Sequence, residues 1–182
     1  MALTILGIAG SLRKASLNRA VLRAAIELAP PDVTIDTFDL SPIPLYNGDI
    51  ELDPPAPVVE LKARIRAAGA VLFSTPEYNF SIPGVLKNAI DWASRPYGDN
   101  AWQGKPVAIM GASPGALGTA RCQYHLRQCF LNIDVIAVTR PEVMLGNAAA
   151  RFDSTPNLTD PKSREMVARL LEALIALALK TR

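Results

Sequence analysis

The stretch LTILGIAGSLRKASLNRAVLRAAIEL, residues 3–28, decides the fold. Residues 3–9 form a largely apolar run, which is typical of a parallel strand covered on both faces. Residues 19–28 have the apolar spacing of a helix. The segment between them, residues 10–18, is rich in polar groups and is called the anion loop below. Because backbone N–H groups and the helix dipole favour negative charge at a helix N-terminus, the sequence predicts an anion site in this loop.

The anion loop offers a specific set of ligand groups. Ser11 and Ser16 carry hydroxyls, Asn18 carries an amide, and Arg13 carries a planar guanidinium suited to phosphate. The loop lacks the glycine patterns of dinucleotide-binding and NTP-binding loops, which favours a single phosphate monoester. Helix capping by Ser16 and a solvated Arg13 are the alternatives, and Lys14 is expected to face solvent.

Length and composition predict one soluble domain, residues 1–182. With 182 residues, 49% of them hydrophobic, the chain is long enough for its own core. A net charge of +2 without a Lys/Arg block argues against nucleic acid as a main partner. No apolar stretch approaches the ~20 residues of a membrane span, and no signal-peptide pattern precedes the first strand. We therefore expect a cytoplasmic protein without a membrane partner.

Strands and helices alternate along the chain. Strands are predicted at 4–9, 33–38, 70–74, 107–111 and 134–138, and helices at 19–28, 58–68, 85–93, 119–131 and 161–179. A polar stretch at 146–160 is expected to be a flexible surface loop. This alternation predicts an α/β fold, a three-layer α/β/α sandwich around a five-stranded parallel sheet. Its expected strand order is the flavodoxin-like 2-1-3-4-5, in which ligands bind beyond the carboxyl ends of the strands.

The predicted topology brings three loops together at one edge of the sheet. They are the anion loop, the 75–84 loop after the third strand and the 112–118 loop after the fourth. The last contributes the Ser113 hydroxyl and glycines that allow close backbone approach, with an ordinary strand-to-helix turn as the alternative. Together the loops indicate a phosphate at one end of a site and a flat ring at the other.

The 75–84 loop, TPEYNFSIPG, is expected to meet the ring. Its backbone groups would reach the polar edge of the ring, and Tyr78 and Phe80 would give it an apolar wall. Asn79 is a candidate contact or a turn residue. Glu77 has no partner carboxylate or histidine nearby in sequence, so we expect it to fix the loop rather than to act in acid–base catalysis.

The sequence does not predict nucleophilic or metal chemistry. The serines at 11 and 113 lie outside a G-x-S-x-G context. His125, the one histidine, is placed inside a helix away from the loops, where packing or a subunit contact is expected. Cys122 and Cys129 lie seven residues apart, too far for a disulfide within one helix, so reduced thiols are expected. No Cys/His cluster has metal-ligand spacing.

At these loops the sequence resembles the NADPH-dependent FMN reductase family, especially its bacterial chromate/quinone reductase and azoreductase branch. The resemblance is carried by GSLRKASLN at 10–18, TPEYNFSIPGVLKNAIDW at 75–92 and ARCQYHLR at 120–127. It implies FMN as cofactor, although Ala15 stands where relatives often have glycine and residues 113–115 differ from close relatives. It places these residues at the cofactor: Ser11, Arg13, Ser16, Leu17 and Asn18 around the phosphate, Pro76, Glu77, Tyr78 and Asn79 along the isoalloxazine, and Ser113 beside them.

The resemblance also implies a reaction and an assembly. NADPH or NADH would reduce the bound flavin and leave, and an acceptor would then take its place, giving ping-pong kinetics without a catalytic side chain. The family's acceptors include quinones, azo dyes, chromate and free flavins. Its members are dimers or tetramers, so we expect a homodimer or homotetramer with subunit contacts at Arg121, Tyr124 and Glu142. An ordinary solvated helix face is the alternative.

Two other functions are compatible with the sequence. A flavodoxin-type electron carrier would share the fold and the cofactor without turning over NAD(P)H, although such carriers are usually acidic. A nucleotide-binding regulatory domain would take up no FMN. The residues do not choose between NADPH and NADH, and Arg95 is a candidate contact for the 2′-phosphate.

Overall fold

The computed structural model describes residues 2–181, which form six strands and five α-helices. The strands are β1 (Leu3–Ala9), β2 (Val33–Phe38), β3 (Ala70–Ser74), β4 (Pro106–Ala112), β5 (Ile136–Ala137) and β6 (Val143–Leu145). The helices are α1 (Leu17–Leu28), α2 (Ala56–Ala67), α3 (Gly84–Ala93), α4 (Ala120–Asn132) and α5 (Pro161–Lys180).

The strands form one parallel sheet in the order β2-β1-β3-β4-β5, with β6 also paired to β4. The predicted flavodoxin-like order is confirmed. Helices cover both faces of the sheet, and this packing explains why the first four residues of β3 are apolar. Ala70 and Leu72 pack in the core beneath α1 and α5, whereas Val71 and Phe73 pack in the core beneath α2, α3 and α4. The three-layer sandwich therefore follows from strands that are buried on both faces.

Two short strands, β5 and β6, occupy the edge beside β4 where the sequence predicts one strand. The prediction of one strand over 134–138 is wrong in extent, because β5 contains only two residues and β6 continues beside β4 after a break. Ile136 lies opposite Pro106 and Leu145 lies opposite Ala112, so the two short strands share one edge. Pro141 lies in the break and has no N–H to donate to the ladder.

The 146–160 segment lies largely at the surface, as predicted, but its hydrogen-bonded structure differs from the flexible loop that the sequence predicts. It contains a short 3-10 turn at 148–150 and an isolated bridge between Phe152 and Leu158. Arg151 holds its two ends together, donating from Nε to the Gly146 carbonyl (2.7 Å) and from Nη1 to the Asp160 carboxylate (3.0 Å). A polar sequence thus encodes an ordered segment through its own hydrogen bonds.

The carboxyl ends of β1, β3 and β4 lie side by side, so the three predicted loops meet at one edge of the sheet. Among the described residues, no helix combines the length and the apolarity that a bilayer crossing requires.

Candidate functional site

A cleft of about 360 Å³ opens where the three loops meet. Its volume falls within the roughly 300–1,000 Å³ that is usual for small-molecule sites. Nine of the ten residues predicted at the cofactor line it, and Asn79 does not. The lining residues are Ser11, Arg13, Ala15, Ser16, Leu17, Asn18, Pro76, Glu77, Tyr78, Ala112, Ser113, Pro114 and Ala149.

One end of the cleft is built to receive an anion. Ser16 is the N-cap of α1, since its Oγ accepts from the backbone N–H groups of Asn18 (3.2 Å) and Arg19 (3.3 Å). The Ser11 and Ser16 side chains are buried, whereas Arg13 is exposed at the cleft. Hydroxyls, a helix N-terminus and a guanidinium surround this end of the cleft, and this donor set suits a phosphate group.

Asn18 has a role within the protein that the sequence does not indicate. Its Oδ1 accepts from the backbone N–H of Ala112 (2.8 Å), and its Nδ2 donates to the Ala112 carbonyl (3.0 Å). The Ser74 hydroxyl donates to the Asn18 carbonyl (2.8 Å). The side-chain amide is therefore used within the protein, where it joins the start of α1 to the ends of β3 and β4. It holds the anion loop in place, and this pair of hydrogen bonds uses only one of the two Nδ2 hydrogens, so a contact from Asn18 to a ligand stays a prediction.

The 75–84 loop turns back on itself at its tip. Two backbone hydrogen bonds between Tyr78 and Ser81 close a tight turn, with lengths of 3.2 and 2.9 Å. The residues between them, Asn79 and Phe80, have positive φ values of 50° and 65°. Asn79 thus occupies a left-handed turn position, which asparagine tolerates well. Tyr78 reaches the other side of the cleft, where its Oη lies 3.5 Å from the Ser11 Oγ.

Glu77 joins the 75–84 loop to α4. Its side chain is only 5% exposed, and Oε1 accepts from Arg121 Nε at 2.6 Å. Oε2 accepts from the backbone N–H of Cys122 at 3.1 Å, in the first turn of α4. A carboxylate at this point satisfies a free N–H of the helix and complements its dipole. The prediction that Glu77 fixes the loop is confirmed.

The residues predicted as subunit contacts have partners within the chain. Arg121 pairs with Glu77, and its guanidinium carbon lies 3.5 Å from the centroid of the Phe80 ring. Glu142 accepts from Arg140 Nη1 at 2.8 Å. Tyr124 is half-exposed on α4. Contacts within one chain do not test an interface between chains, so the subunit role of these residues stays a prediction.

His125 lies against the 75–84 loop, and its predicted placement away from the loops is wrong. Its Nδ1 is 3.1 Å from the Ser81 Oγ, because α4 runs along that loop. The side chain is exposed. Sequence reasoning missed this contact because the two residues are far apart in the chain.

The cysteines have no disulfide partner, as expected. Cys122 is buried with its Sγ 3.6 Å from the Thr75 Oγ1, and burial raises the pKa of its thiol to about 11. The thiol is therefore neutral at physiological pH and unsuited to nucleophilic chemistry.

One wall of the cleft has no counterpart in the sequence prediction. Ala149 comes from the 146–160 segment, which approaches the 112–118 loop closely. The backbone N–H groups of Asn147 and Ala148 donate to the carbonyls of Gly115 (3.1 Å) and Ser113 (3.2 Å). An alanine in a polar stretch carries no chemical signal, so no pattern could have revealed it. Arg95 lies elsewhere, stacked on Tyr97 and not among the lining residues.

Comparison with known proteins identifies the family of the chain and, through it, the cofactor. The sequence model of the family described as NADPH-dependent FMN reductase matches residues 3–150. The chain belongs to this family. A relative in Pseudomonas aeruginosa, an NAD(P)H-dependent FMN reductase, is 53% identical and aligns over 93% of this chain and 92% of its own length. A 2-hydroxy-1,4-benzoquinone reductase of a Burkholderia species is 41% identical over 97% of this chain and 96% of its own.

A solved structure agrees with this assignment. The flavoenzyme NAD(P)H:acceptor oxidoreductase FerB of Paracoccus denitrificans superposes with a TM-score of 0.90, at 37% identity, over 98% of each chain. The chain is therefore an FMN-dependent NAD(P)H oxidoreductase. Both relatives are named as reductases, and the Pseudomonas protein as NAD(P)H-dependent, which favours an enzyme over an electron carrier or a regulatory domain.

The residues present fit FMN. A flavin mononucleotide needs an anion site for one phosphate and an apolar wall for its ring, at a distance set by the ribityl chain. The cleft is lined by Arg13 and the serine hydroxyls together with Pro76 and Tyr78. Its one lining carboxylate, on Glu77, is paired with Arg121 rather than left free beside the anion end.

Proposed function

We propose that this FMN reductase transfers reducing equivalents from NAD(P)H to quinones, and also to azo compounds, chromate or free flavin. The observation that carries the proposal is the meeting of three loops in one cleft, whose lining includes both a guanidinium and an aromatic ring. A benzoquinone is a flat ring with two carbonyl oxygens, so it matches an apolar site with a few polar groups. The name of the Burkholderia relative supports this acceptor class.

We assign the cofactor residues by position in the cleft. Arg13 and the hydroxyls of Ser11 and Ser16 would hold the phosphate, with Leu17 and Ser113 lining the cleft nearby. Pro76 and Tyr78 would form the wall against the isoalloxazine. The Asn18 amide would support this arrangement from behind. A direct contact from Asn79 stays a prediction.

Among the described residues that line the cleft, we assign none as an acid, base or nucleophile for the transfer. FMN supplies the redox chemistry when bound, accepting a hydride from NAD(P)H and passing electrons to an acceptor. The cleft residues would hold FMN so that the two substrates could reach it in turn. Because the same cleft serves both substrates, we expect ping-pong kinetics.

A spectroscopic experiment followed by kinetics tests the proposal. The purified protein should show a flavin absorption band that NADPH bleaches under anaerobic conditions and that 1,4-benzoquinone restores. Double-reciprocal plots at several fixed quinone concentrations should then give parallel lines. Intersecting lines would contradict the ping-pong order, and a band that neither NADPH nor NADH bleaches would favour the electron carrier.

The proposal extends to the setting of the enzyme. Its partners would be small-molecule acceptors rather than nucleic acid, and its location would be cytoplasmic, where NAD(P)H is available. We also propose a homodimer or homotetramer, with Tyr124 as an exposed contact and with Arg121 and Glu142 at its edge. Comparing kcat/KM for NADPH and NADH would establish the preferred donor.

A further inference from the structure

We propose that Arg121 is a positioning residue for the 75–84 loop beside the flavin. Its guanidinium compensates the negative charge of Glu77 and holds the conformation of the loop. The inference rests on the proposed function, because it takes this loop to lie along the isoalloxazine.

The first observation is electrostatic. Glu77 is the one acidic residue among those that line the cleft, and its side chain is 5% exposed. A carboxylate withdrawn from water requires compensation by a charge or by hydrogen bonds. Both of its oxygens are used, one by Arg121 and the other by the backbone N–H of Cys122. Of these two partners, only Arg121 carries a full positive charge.

The second observation is the turn that follows Glu77. Phe80 has a φ of 65°, in the left-handed region that is unfavourable for a bulky residue. The Arg121 guanidinium covers the Phe80 ring at 3.5 Å from its centroid, a favourable cation–π arrangement. One side chain therefore contacts the residue before the turn and a residue within it.

Other contacts also hold the 75–84 loop against α4, but none of them brings a positive charge to the Glu77 carboxylate. Ser81 bonds to His125, and the Thr75 hydroxyl lies beside the Cys122 thiol. These contacts should keep the loop folded when Arg121 is altered. Neutralising Arg121 would leave the Glu77 charge uncompensated beside FMN. Because reduction adds negative charge to the flavin, an uncompensated carboxylate disfavours it.

The midpoint potential of bound FMN is the measurement that separates this role from a merely structural one. We expect Arg121→Gln to shift the potential to a more negative value and to raise the Kd for FMN several-fold. Glu77→Gln should shift the potential in the opposite direction, since it removes the negative charge, although its single amide oxygen can accept only one of the two hydrogen bonds. The double variant should return towards the wild-type potential, and Arg121→Lys should stay near it.

The matched control is Arg169→Gln. This change removes the same charge from an exposed pair with Glu165 on α5, and it should leave the potential unchanged. An unchanged potential in FMN-loaded Arg121→Gln would overturn the inference, as would equal shifts in that variant and in the double variant. If Arg121→Gln fails to fold, the other two single variants still test the inference. A more positive potential in Glu77→Gln and a wild-type potential in Arg121→Lys would support it, and any other result would contradict it. A wild-type protein that binds no FMN would instead overturn the proposed function.

Discussion

At the scale of single residues, the side chains of the anion loop divide into those that face the cleft and those that are used by the protein. Arg13 is exposed at the cleft, whereas the Asn18 amide is bonded to the backbone of Ala112 in both directions. Ser16 does both, since it caps α1 and lines the cleft. Residue type alone predicts which groups suit a phosphate, but it does not tell which of them are free to bind one.

Arg13→Ala should lower FMN affinity rather than the rate of hydride transfer. Loss of one charge-assisted hydrogen bond costs about 1.5–3 kcal/mol, which corresponds to a roughly ten- to hundredfold higher Kd for FMN. Fluorescence titration with FMN measures the affinity, and kcat at saturating FMN should be close to the wild-type value. Lys14→Ala, at the neighbouring exposed position, is the control and should change neither quantity. Full flavin content with lost activity in Arg13→Ala would contradict the assignment.

The Cys122 thiol should make stability depend on alkaline pH. Burial raises its pKa from 9.0 to about 11, so the unfolded chain loses this proton at a lower pH than the folded protein does. The stabilising effect is complete below pH 9 and declines between pH 9 and pH 11, by up to about 2–3 kcal/mol. The free energy of unfolding of the wild type relative to Cys122→Ala, from urea titrations of flavin-free protein, should fall over this range. A difference that is constant with pH would contradict the raised pKa.

At the scale of secondary-structure elements, the site depends on contacts between loops and helices distant in the chain. The 75–84 loop is fixed to α4 through Glu77, and the 112–118 loop is fixed to the 146–160 segment through backbone hydrogen bonds. Gly146 allows the second contact, because a Cβ at this position would lie 2.1 Å from the Ala116 carbonyl oxygen. The glycine is required by close backbone approach rather than by its own conformation.

Gly146→Ala should therefore destabilise the protein and disturb the cleft. The added methyl group meets backbone rather than a flexible side chain, and overpacking of this kind costs about 1–3 kcal/mol. Gly84→Ala is the control, because nothing lies within 4 Å of a Cβ there and alanine favours the first turn of α3. Urea unfolding should show a loss for the first variant and no loss for the second. Equal stability of the two variants would argue against the close approach.

At the scale of the whole molecule, the parallel sheet turns three separate segments into one site. The carboxyl ends of β1, β3 and β4 are neighbours only because the strand order is 2-1-3-4-5. The two cores beneath the helices hold these strands in register. The position of the cleft therefore depends on topology, and its chemistry depends on the loops that the topology brings together.

The assembly belongs to the same scale. We expect Tyr124→Ala to shift the sedimentation profile towards a smaller species, because an exposed aromatic on α4 is typical of a subunit contact. Tyr97→Ala, which removes an aromatic ring that is 86% exposed elsewhere, is the matched control and should leave the profile unchanged. A wild-type protein that sediments as a monomer would overturn the predicted interface.

The sequence by itself determined the alternation of strands and helices that builds the layers, and it predicted an anion site in the anion loop. The first four residues of strand β3 are apolar because the strand is buried on both faces, and that signal is local. The anion loop is likewise continuous in the chain, so its hydroxyls and its guanidinium could be read together with the helix that follows. For these features, neighbouring residues carry all the physical information.

Only the tertiary structure decided how the loops are held and which other residues line the cleft. Arg121 lies 44 positions from Glu77, and Asn18 lies 94 positions from Ala112. The division of the fifth strand and the wall at Ala149 likewise depend on contacts with β4 and the 112–118 loop. Hydrogen bonds and close approaches between distant segments leave no periodicity in a sequence, so they become visible only when the fold has placed both partners.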